Sequence, residues 1–482
     1  MGTFYVQNFG CRATQADGAA IERQFRDRGM ELADAPSAAA VVVLNTCTVT
    51  AAADQDVRAA IRRVHRENPG CQIVVTGCYA QRAPEEIAAF PGVTQVVGNS
   101  HKHQLAKLAM SARNFVPLRD LATENRELKT EIYISDIFAH TELLAAPVFD
   151  AVGGARTRPN LKVQDGCDNR CSFCVIPYVR GQSRSLPLPE ILREVHALVD
   201  AGHREVVISG INLGRWGRDL LQPLWGGRPR PPRFEDLIRA ILDQTSLEKL
   251  RLSSVEPMDW SDDLIRLVAG SPRIAKHAHV PLQSGSDRIL RKMHRKYRPW
   301  HYREKIKKIR AAMSTAAIGA DVMVGFPGES DTDFEETRRM IEELPFTYLH
   351  VFTYSSRPDT PAAAMSNQVP VQVARERNRI LRELAAQKKQ AFMQDFVGRT
   401  LDAITLRASS RRLSSRAESG DSLANLRGEV EGPAFTEGDC TEALTDNYLH
   451  LRLKGRYEPN HWMKVIIERA DEGGLIGMAQ TR

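Results

Sequence analysis

The stretch "LKVQDGCDNRCSFC", residues 161–174, runs from a short apolar segment into a loop with three cysteines. Cys167, Cys171 and Cys174 follow the spacing C-x3-C-x2-C, which lets one loop wrap three sulfurs around a single metal centre. A [4Fe–4S] cluster normally takes four thiolates, so three leave one iron open for a substrate or cofactor. A zinc knuckle would need a fourth ligand, and no His or Cys stands at the spacing it requires.

The segments around this loop predict an α/β domain. Residues 161–165 form the first of six predicted strands that alternate with helical patterns, and the others are 205–209, 249–254, 278–283, 319–326 and 349–355. Six units are too few to close an eight-stranded barrel, so we predict a (βα)6 partial TIM barrel. The three cysteines follow the carboxyl end of its first strand, where barrel enzymes build active sites.

The first hundred residues predict a separate parallel α/β domain. Short apolar strands at 3–7, 41–45, 72–76 and 93–97 alternate with helical patterns, which is typical of a parallel sheet covered by helices.

Three further cysteines follow strands of this predicted sheet. Cys11, Cys47 and Cys78 each lie just beyond the carboxyl end of a strand, where open α/β sheets place their ligands. Taken singly, each could be a small buried hydrophobe. Three at equivalent positions instead predict a second cluster with one open iron, whereas Cys71 begins its strand and should point to the opposite end.

The chain divides into four predicted segments. We expect an N-terminal domain at 1–112, a linker at 113–155, the partial barrel at 156–394 and a small all-β domain at 395–482, with a polar loop inserted at 408–426.

Charge and hydrophobicity limit the class of protein. The formal net charge of +7 favours an anionic partner such as nucleic acid. No stretch approaches 18 apolar residues, and the first residues lack the features of a signal peptide. We therefore expect a cytoplasmic protein with no membrane association, in which cysteines stay reduced and are metal ligands or catalytic groups in preference to disulfides.

The cysteine loop "CDNRCSFC" resembles the signature of radical S-adenosylmethionine (SAM) enzymes. Other motifs resemble the methylthiotransferase subfamily of these enzymes, and "TDNY" resembles its TRAM module, a small RNA-binding β-barrel. Those motifs are "NFGCRATQAD", "NTCTVT", "TGCYAQ", "SGINLG", "LSSVEP", "HVPLQSGSD" and "DVMVGFPGE". The segments "QDGCDNRC", "RGQSRS" and "GINLGRWG" are most similar to the branch that acts on N6-threonylcarbamoyladenosine in tRNA.

The resemblance implies cofactors, partners and a reaction. It implies two [4Fe–4S] clusters, held by the two cysteine trios, and SAM, which is cleaved at the second trio's cluster. The product would be 2-methylthio-N6-threonylcarbamoyladenosine at tRNA position 37. Expected partners are the tRNA anticodon loop, an external electron donor and a sulfur source, and we expect a monomer.

Polar and glycine residues at predicted strand ends are candidates for SAM contacts, with ordinary βα turns as the alternative. They are Ser253, Glu256, Gln283, Gly325 and Gly328.

Residues 288–310 are densely basic, with Tyr297, Trp300 and Tyr302 interleaved, which suits phosphate contacts and base stacking. A solvated helix face is the alternative. Arg411, Arg412 and Arg416 in the polar loop could add a local RNA contact.

Other functions stay open at this point. One is methylthiolation of isopentenyladenosine in tRNA or of a ribosomal protein aspartate. Another is a non-catalytic iron–sulfur protein that binds RNA or carries electrons, although electron carriers usually complete all four ligands.

Overall fold

The computed structural model describes residues 2–111, 130–139, 157–220, 231–407 and 440–480. The predicted polar loop at 408–426, with its three arginines, lies outside these residues, as does most of the predicted linker. The chain forms two compact units. The first unit comprises Met1–Phe149, Asn160–Leu186 and Ser355–Ala363. The second unit comprises Asp150–Pro159, Pro187–Tyr354 and Ala364–Arg482.

A six-stranded parallel sheet organises the first unit, in the order β2-β1-β3-β4-β5-β6. Its strands are β1 (Thr3–Asn8), β2 (Glu31–Leu32), β3 (Val41–Thr46), β4 (Gln72–Gly77), β5 (Val93–Val97) and β6 (Glu131–Tyr133). The central strands are apolar on both faces because helices cover the sheet from both sides. The helices are α1 (Arg12–Arg26), α2 (Ala51–Glu67), α3 (Cys78–Arg82), α4 (Pro84–Ala88) and α5 (Leu105–Ser111).

The four predicted strands are confirmed to within one residue. The two edge strands β2 and β6 have no counterpart in the sequence prediction, because strands of two or three mostly exposed residues carry no hydrophobic period. Strand β6 falls in the segment predicted as a linker.

The cysteine loop also belongs to the first unit. It follows β7 (Asn160–Asp165) and leads into α6 (Ile176–Arg180), after which β8 (Arg184–Ser185) pairs antiparallel with β7.

The second unit contains the other barrel strands, β9 (Glu205–Gly210), β10 (Lys249–Leu252), β11 (His277–His279), β12 (Ala317–Val324) and β13 (Tyr348–Thr353). They are parallel, and a bridge between Leu250 and Ile274 links the β9–β10 pair to the β11–β12–β13 sheet. The helices between and after them are α7 (Leu188–Asp200), α8 (Phe234–Gln244), α9 (Asp262–Gly270), α10 (Asp287–Lys292), α11 (Pro299–Ala312), α12 (Asp331–Glu343) and α13 (Val371–Gln394).

A small closed β-barrel ends the chain, as predicted. Its strands are β14 (Thr400–Thr405), β15 (Cys440–Thr445), β16 (His450–Lys454), β17 (Trp462–Asp471) and β18 (Gly474–Ala479), in the order β14-β15-β16-β18-β17. Met393 and Phe396, at and just after the end of α13, are buried in its core.

Among the described residues, no helix combines the length and the apolar composition needed to cross a membrane.

Candidate cluster and cofactor sites

Three cysteines gather at the carboxyl edge of the N-terminal sheet. Strands β1, β3 and β4 are neighbours, and Thr46 pairs in register with Gly77. Cys47 and Cys78 therefore leave adjacent strands at the same level, and Cys11 enters from the loop after β1. Cys71 lies at the other end of β4, in the hydrophobic core, as its place before the strand predicts.

The thiols of this trio lie within electrostatic range of one another. Burial, together with thiolate charge on Cys11 and Cys78, raises the pKa of Cys47 to about 12. Gly10 makes room for the trio, because a Cβ there would lie 2.5 Å from the Cys47 Cβ and 3.0 Å from its Sγ. Three sulfur donors at one sheet edge suit an iron–sulfur cluster, which would remove the cost of deprotonating buried thiols.

A buried carboxylate holds the loops that carry Cys47 and Cys78. Asp54 accepts hydrogen bonds from Thr48 Oγ1 (2.7 Å), Arg82 Nη2 (2.9 Å) and Arg357 Nη1 (2.7 Å). Thr48 follows Cys47, and Arg82 ends the short helix that begins at Cys78. Asp54 thus ties the two cysteine loops to each other and to the segment around Arg357.

The second trio lies on the loop between β7 and α6. Cys167 is buried, whereas Cys171 and Cys174 are half-buried. The turn into this loop requires glycine at 166, where φ is +70° and a Cβ would lie 1.8 Å from the backbone oxygen of Gln182. The Cys174 amide donates to the Cys171 carbonyl over 3.1 Å, which bends the C-x2-C segment into a turn.

The first trio packs directly against the segment that follows the second. Cys78 lies in an apolar cluster with Val175 and Val179. Asn99 Nδ2 donates to the Val179 carbonyl over 2.7 Å and lies 3.7 Å from the Cys78 sulfur. The structure therefore brings both predicted trios into one compact unit, although they are separated along the chain by about a hundred residues.

A buried network of five charged side chains joins the sheet to the second cysteine loop. Asp17 on α1 accepts from Lys162 Nζ, from Lys102 Nζ over 3.0 Å and from Arg180 Nη2 over 2.9 Å. Asp165 accepts from Lys162 Nζ over 2.8 Å and from Arg180 Nη1 over 2.9 and 3.0 Å. Asp165 and Arg180 bracket the cysteine loop, so the network fixes both of its ends.

The network carries one more positive than negative charge. Burial alone would raise the pKa of Asp17, but Lys102, Lys162 and Arg180 hold the pKa well below its usual range. Burial likewise opposes the charge on Arg180, and Asp165, Cys78 and Asp17 outweigh it, so its pKa lies well above the usual value. The excess positive charge of this network lies beside Cys11 and Cys78 and would favour an anionic group bound there.

Two unpartnered hydroxyls lie at the carboxyl ends of barrel strands in the second unit. Ser209 on β9 and Ser253 just after β10 are adjacent, because the Ser253 amide donates to the Ile208 carbonyl over 3.1 Å. Both Oγ atoms are buried without a hydrogen-bond partner. Buried hydroxyls without partners are costly, so this pair fits a polar ligand such as SAM. Ser253 was among the predicted contacts, and Ser209 was not.

The other predicted SAM residues lie in the second unit with structural partners of their own. Glu256 forms an ion pair with buried Arg295. Gln283 adopts φ +65° and bridges to Val322 of β12. Gly325 and Gly328 adopt φ +75° and +79°, and the Gly325 amide donates to Glu329 Oε2 over 2.7 Å. The positive φ angles show why glycine is required at 325 and 328.

The basic segment 288–310 differs from the predicted stacking surface. Tyr297 and Tyr302 are buried and donate to backbone carbonyls of Leu282 (2.6 Å) and Val280 (2.7 Å), so neither can stack on a base. Trp300 is 55% exposed. Most of the arginines in this segment are paired with nearby carboxylates, namely Arg288 with Asp333, Arg291 and Arg298 with Asp287, Arg295 with Glu256, and Arg303 with Glu343.

The "TDNY" motif docks the small β-barrel onto the strands of the second unit. Arg251 on β10, paired with Glu205, donates to the Asp446 carbonyl over 3.2 Å. Asn447 Nδ2 donates to the Thr315 carbonyl over 3.0 Å, and the Tyr448 ring lies 4.5 Å from that of His277. Asp446 pairs with Lys249, which begins β10, and Tyr448 lies beside His277, which begins β11. The motif therefore covers the amino ends of these two strands.

Sequence reasoning missed Asp17, Lys162, Asp54 and Arg357. Lys162, Asp54 and Arg357 have no periodic or spacing signal, and their partners are remote in sequence. Asp17 did have a signal, because it ends the motif "NFGCRATQAD". A signal did exist for Ser209, because it lies within the quoted motif "SGINLG" at a predicted strand end.

Comparison with known proteins agrees with this architecture. Residues 3–98 match a family model described as "Uncharacterized protein family UPF0004", and residues 161–341 match the Radical SAM superfamily. Among solved structures, the radical SAM methyltransferase TsrM from Kitasatospora setae superposes with a TM-score of 0.53 at 15% identity, over 75% of this chain and 76% of that one. This likeness shows a shared fold, with the partial barrel of radical SAM proteins.

Curated relatives align over most of the chain. The Aquifex aeolicus protein named "Threonylcarbamoyladenosine tRNA methylthiotransferase MtaB" is 37% identical over 96% of this chain and 99% of its own length. A Bacillus subtilis protein of the same name is 36% identical over 84% and 85%. The Saccharopolyspora erythraea "tRNA-2-methylthio-N(6)-dimethylallyladenosine synthase" is 35% identical over 87% and 82%. By this extent of similarity, together with its radical SAM domain, the chain belongs to the methylthiotransferase family of radical SAM enzymes.

Proposed function

We propose that this enzyme converts N6-threonylcarbamoyladenosine at position 37 of tRNA to its 2-methylthio form. The observation that supports this most strongly is the pair of cysteine trios within one compact unit, in which Cys78 packs against the segment after Cys174. The relative from Aquifex aeolicus, which carries this activity in its name, aligns over almost the full length of both chains.

Two [4Fe–4S] clusters would occupy the trios. Cys11, Cys47 and Cys78 would hold the auxiliary cluster, and Cys167, Cys171 and Cys174 the cluster that binds SAM. Together with SAM they would supply the radical chemistry that an aromatic C–H carbon demands, since C2 of adenine is neither acidic nor electrophilic enough for simpler routes. The proximity of the trios supports a sulfur donor held close to the point of radical formation.

The chain's own residues would bind and orient the participants. Ser253, Glu256, Gln283, Gly325 and Gly328 remain our candidates for SAM contacts, to which the unpartnered hydroxyl of Ser209 is added. Asp17, Asp165 and Arg180 would hold the second cysteine loop in place. The tRNA anticodon loop, an external electron donor and a sulfur source complete the proposed partners, and we expect the enzyme to act as a monomer.

A second substrate deserves a direct comparison, because the Saccharopolyspora erythraea relative is named for dimethylallyladenosine and is 35% identical. Nucleosides of total tRNA from a strain lacking the gene, analysed by mass spectrometry, would separate the two. We expect loss of the methylthio form of threonylcarbamoyladenosine alone, restored by the wild-type gene and by Cys71→Ala, and not by Cys78→Ala or Cys174→Ala.

Other outcomes would contradict the proposed substrate. Loss of the methylthio form of isopentenyladenosine, which is the same nucleoside as dimethylallyladenosine, would assign the other tRNA substrate. An unchanged nucleoside profile with an unmodified ribosomal protein aspartate would assign a protein substrate.

A further inference from the structure

Three strands of the second unit present imidazoles and a carboxylate on one shared face. His279 lies on β11, Asp321 on β12 and His350 on β13, and Asp321 pairs in register with His350. Barrel interiors are normally filled by branched aliphatic side chains. The alternate residues Ala278, Val280, Ala320 and Val322 lie on the other face of these strands and are apolar and fully buried.

The donor atoms of these three residues converge. His279 Nε2 lies 3.4 Å from Asp321 Oδ1, and His350 Nδ1 lies 3.3 Å from the same oxygen. All three atoms lie within 4.8 Å of one another. With metal–ligand bonds of about 2.1 Å, two ligand atoms of a tetrahedral site are about 3.4 Å apart. The distances from the Asp321 oxygen to the two histidine nitrogens agree with this value.

A hydrogen-bonded His–Asp–His group is the alternative for the same residues, and both contacts with Asp321 are long for it. Charge-assisted hydrogen bonds from nitrogen to a carboxylate are typically about 2.7–2.9 Å long, and both contacts here are longer. His279 Nε2 is buried and has no hydrogen-bond partner, although the residue is only 8% exposed. An imidazole nitrogen and a carboxylate oxygen at the 3.4 Å separation of His279 Nε2 and Asp321 Oδ1 can both be ligands of one ion.

The surroundings can support a bound ion. The Tyr348 ring lies 5.9 Å from His279 and 5.4 Å from His350, and its hydroxyl meets His277 Nε2 at 2.7 Å. Gly319 leaves room for this ring, because a Cβ there would lie 2.1 Å from it. The side chains of His350 and Asp321 are 34% and 23% exposed, so an ion at this point would be reached from solvent and keep open coordination positions.

We propose that His279, Asp321 and His350 form a mononuclear site for a divalent zinc-class ion, separate from the iron–sulfur clusters. Two imidazoles and one carboxylate, with remaining positions open, are the ligand set of sites in which zinc binds water or an oxygen ligand. The site involves none of the six candidate cluster cysteines and stands independently of the proposed tRNA substrate.

The test uses the full-length chain with its clusters reconstituted anaerobically. After chelation and dialysis against micromolar zinc chloride, the bound zinc is counted by mass spectrometry, and absorption at the zinc edge identifies its ligand atoms. We expect about one zinc per chain with nitrogen and oxygen ligands and no sulfur. Zinc with sulfur ligands, or none bound, would overturn the proposal.

Variants assign the site to these residues. Asp321→Asn keeps the shape and removes the charge, and His350→Ala removes a partly exposed ligand with little demand on the fold. Each should weaken zinc binding by more than the roughly 10- to 100-fold that is lost when a residue that only orients a ligand is changed. Cluster iron and circular dichroism should stay at wild-type values. His301→Ala, an exposed histidine on α11, is the matched control and should bind zinc normally. Zinc binding that is unchanged in His350→Ala would refute the assignment.

Discussion

Arg180 Nη1 donates to both carboxylate oxygens of Asp165, over 2.9 and 3.0 Å, from the opposite end of the cysteine loop. The same guanidinium reaches Asp17 on the first helix of the N-terminal sheet. Because its two terminal nitrogens are bonded to two different buried carboxylates, the Arg180 guanidinium is held in one orientation, and it fixes the end of the loop that carries Cys167, Cys171 and Cys174. The structural integrity of the second trio thus depends on residues of the first domain.

The first prediction concerns Asp17. Replacing it by Asn leaves Lys102, Lys162 and Arg180 buried around one remaining carboxylate, Asp165. Breaking a buried charge network in this way costs about 3–5 kcal/mol. We expect a lower midpoint of urea unfolding, followed by circular dichroism, whereas Asp34→Asn at an exposed position should change it little. Equal midpoints for the two variants would show that the network contributes nothing to stability.

The same carboxylate predicts a pH dependence. Since the folded-state pKa of Asp17 is depressed, its contribution is present above the unfolded-state pKa of about 3.9 and is lost as the pH falls further towards the folded value. Unfolding midpoints measured downward from neutral pH should fall more steeply for wild type than for Asp17→Asn below about pH 4. Parallel curves for the two proteins would contradict the assignment.

The third prediction tests the close packing at Gly10. A Cβ at this position meets Cys47, and φ is +106°, so Gly10→Ala should displace the Cys47 loop and lower the iron of the auxiliary cluster. Gly29→Ala is a matched control, because φ there is +76° but nothing lies within 4 Å of the added atom. Iron and sulfide analysis after anaerobic reconstitution should show a loss in the first variant only. Similar losses in both would mean that backbone strain, and not the contact with Cys47, is responsible.

Cys78 and Cys71 flank the same strand, so a matched pair of variants can test the proposed auxiliary cluster. Cys78→Ala should remove about half of the cluster iron and abolish methylthiolation while reductive cleavage of SAM continues. Cys71→Ala removes a core side chain and should leave the iron content unchanged. Full iron content in Cys78→Ala would rule out its role as a ligand.

Ser209 and Ser253 provide a prediction about SAM. Without a ligand their hydroxyls are buried and unpartnered, so changing either to Ala should not destabilise the protein. With SAM present, each hydroxyl lost should weaken binding by about 0.5–1.5 kcal/mol, or roughly 2- to 10-fold in Kd. Equilibrium dialysis with labelled SAM measures this, and Ser314→Ala at an exposed position is the control. Loss of stability with unchanged affinity would place the two hydroxyls outside the SAM site.

Local patterns in the sequence predicted much of the architecture. Sequence patterns that depend on neighbours within a few residues can be recognised without a structure. Examples are apolar strands such as Val41–Thr46 and the position of each cysteine just after a strand. The role expected for Tyr297 and Tyr302 was wrong for the complementary reason. Whether an aromatic ring among basic residues faces solvent or the core depends on which element packs over it, and here both rings face the core.

By itself, then, the sequence determined the order of the domains, the two cysteine trios and the small β-barrel at the end. Only the tertiary structure decided that Cys78 lies against the segment after Cys174, that Asp17 meets Lys162 and Arg180, and that "TDNY" docks onto the barrel strands. The physical reason is that hydrophobic periodicity and ligand spacing are properties of short segments. Pairing among buried charges and polar groups instead depends on residues that are remote in the chain, which only packing brings together.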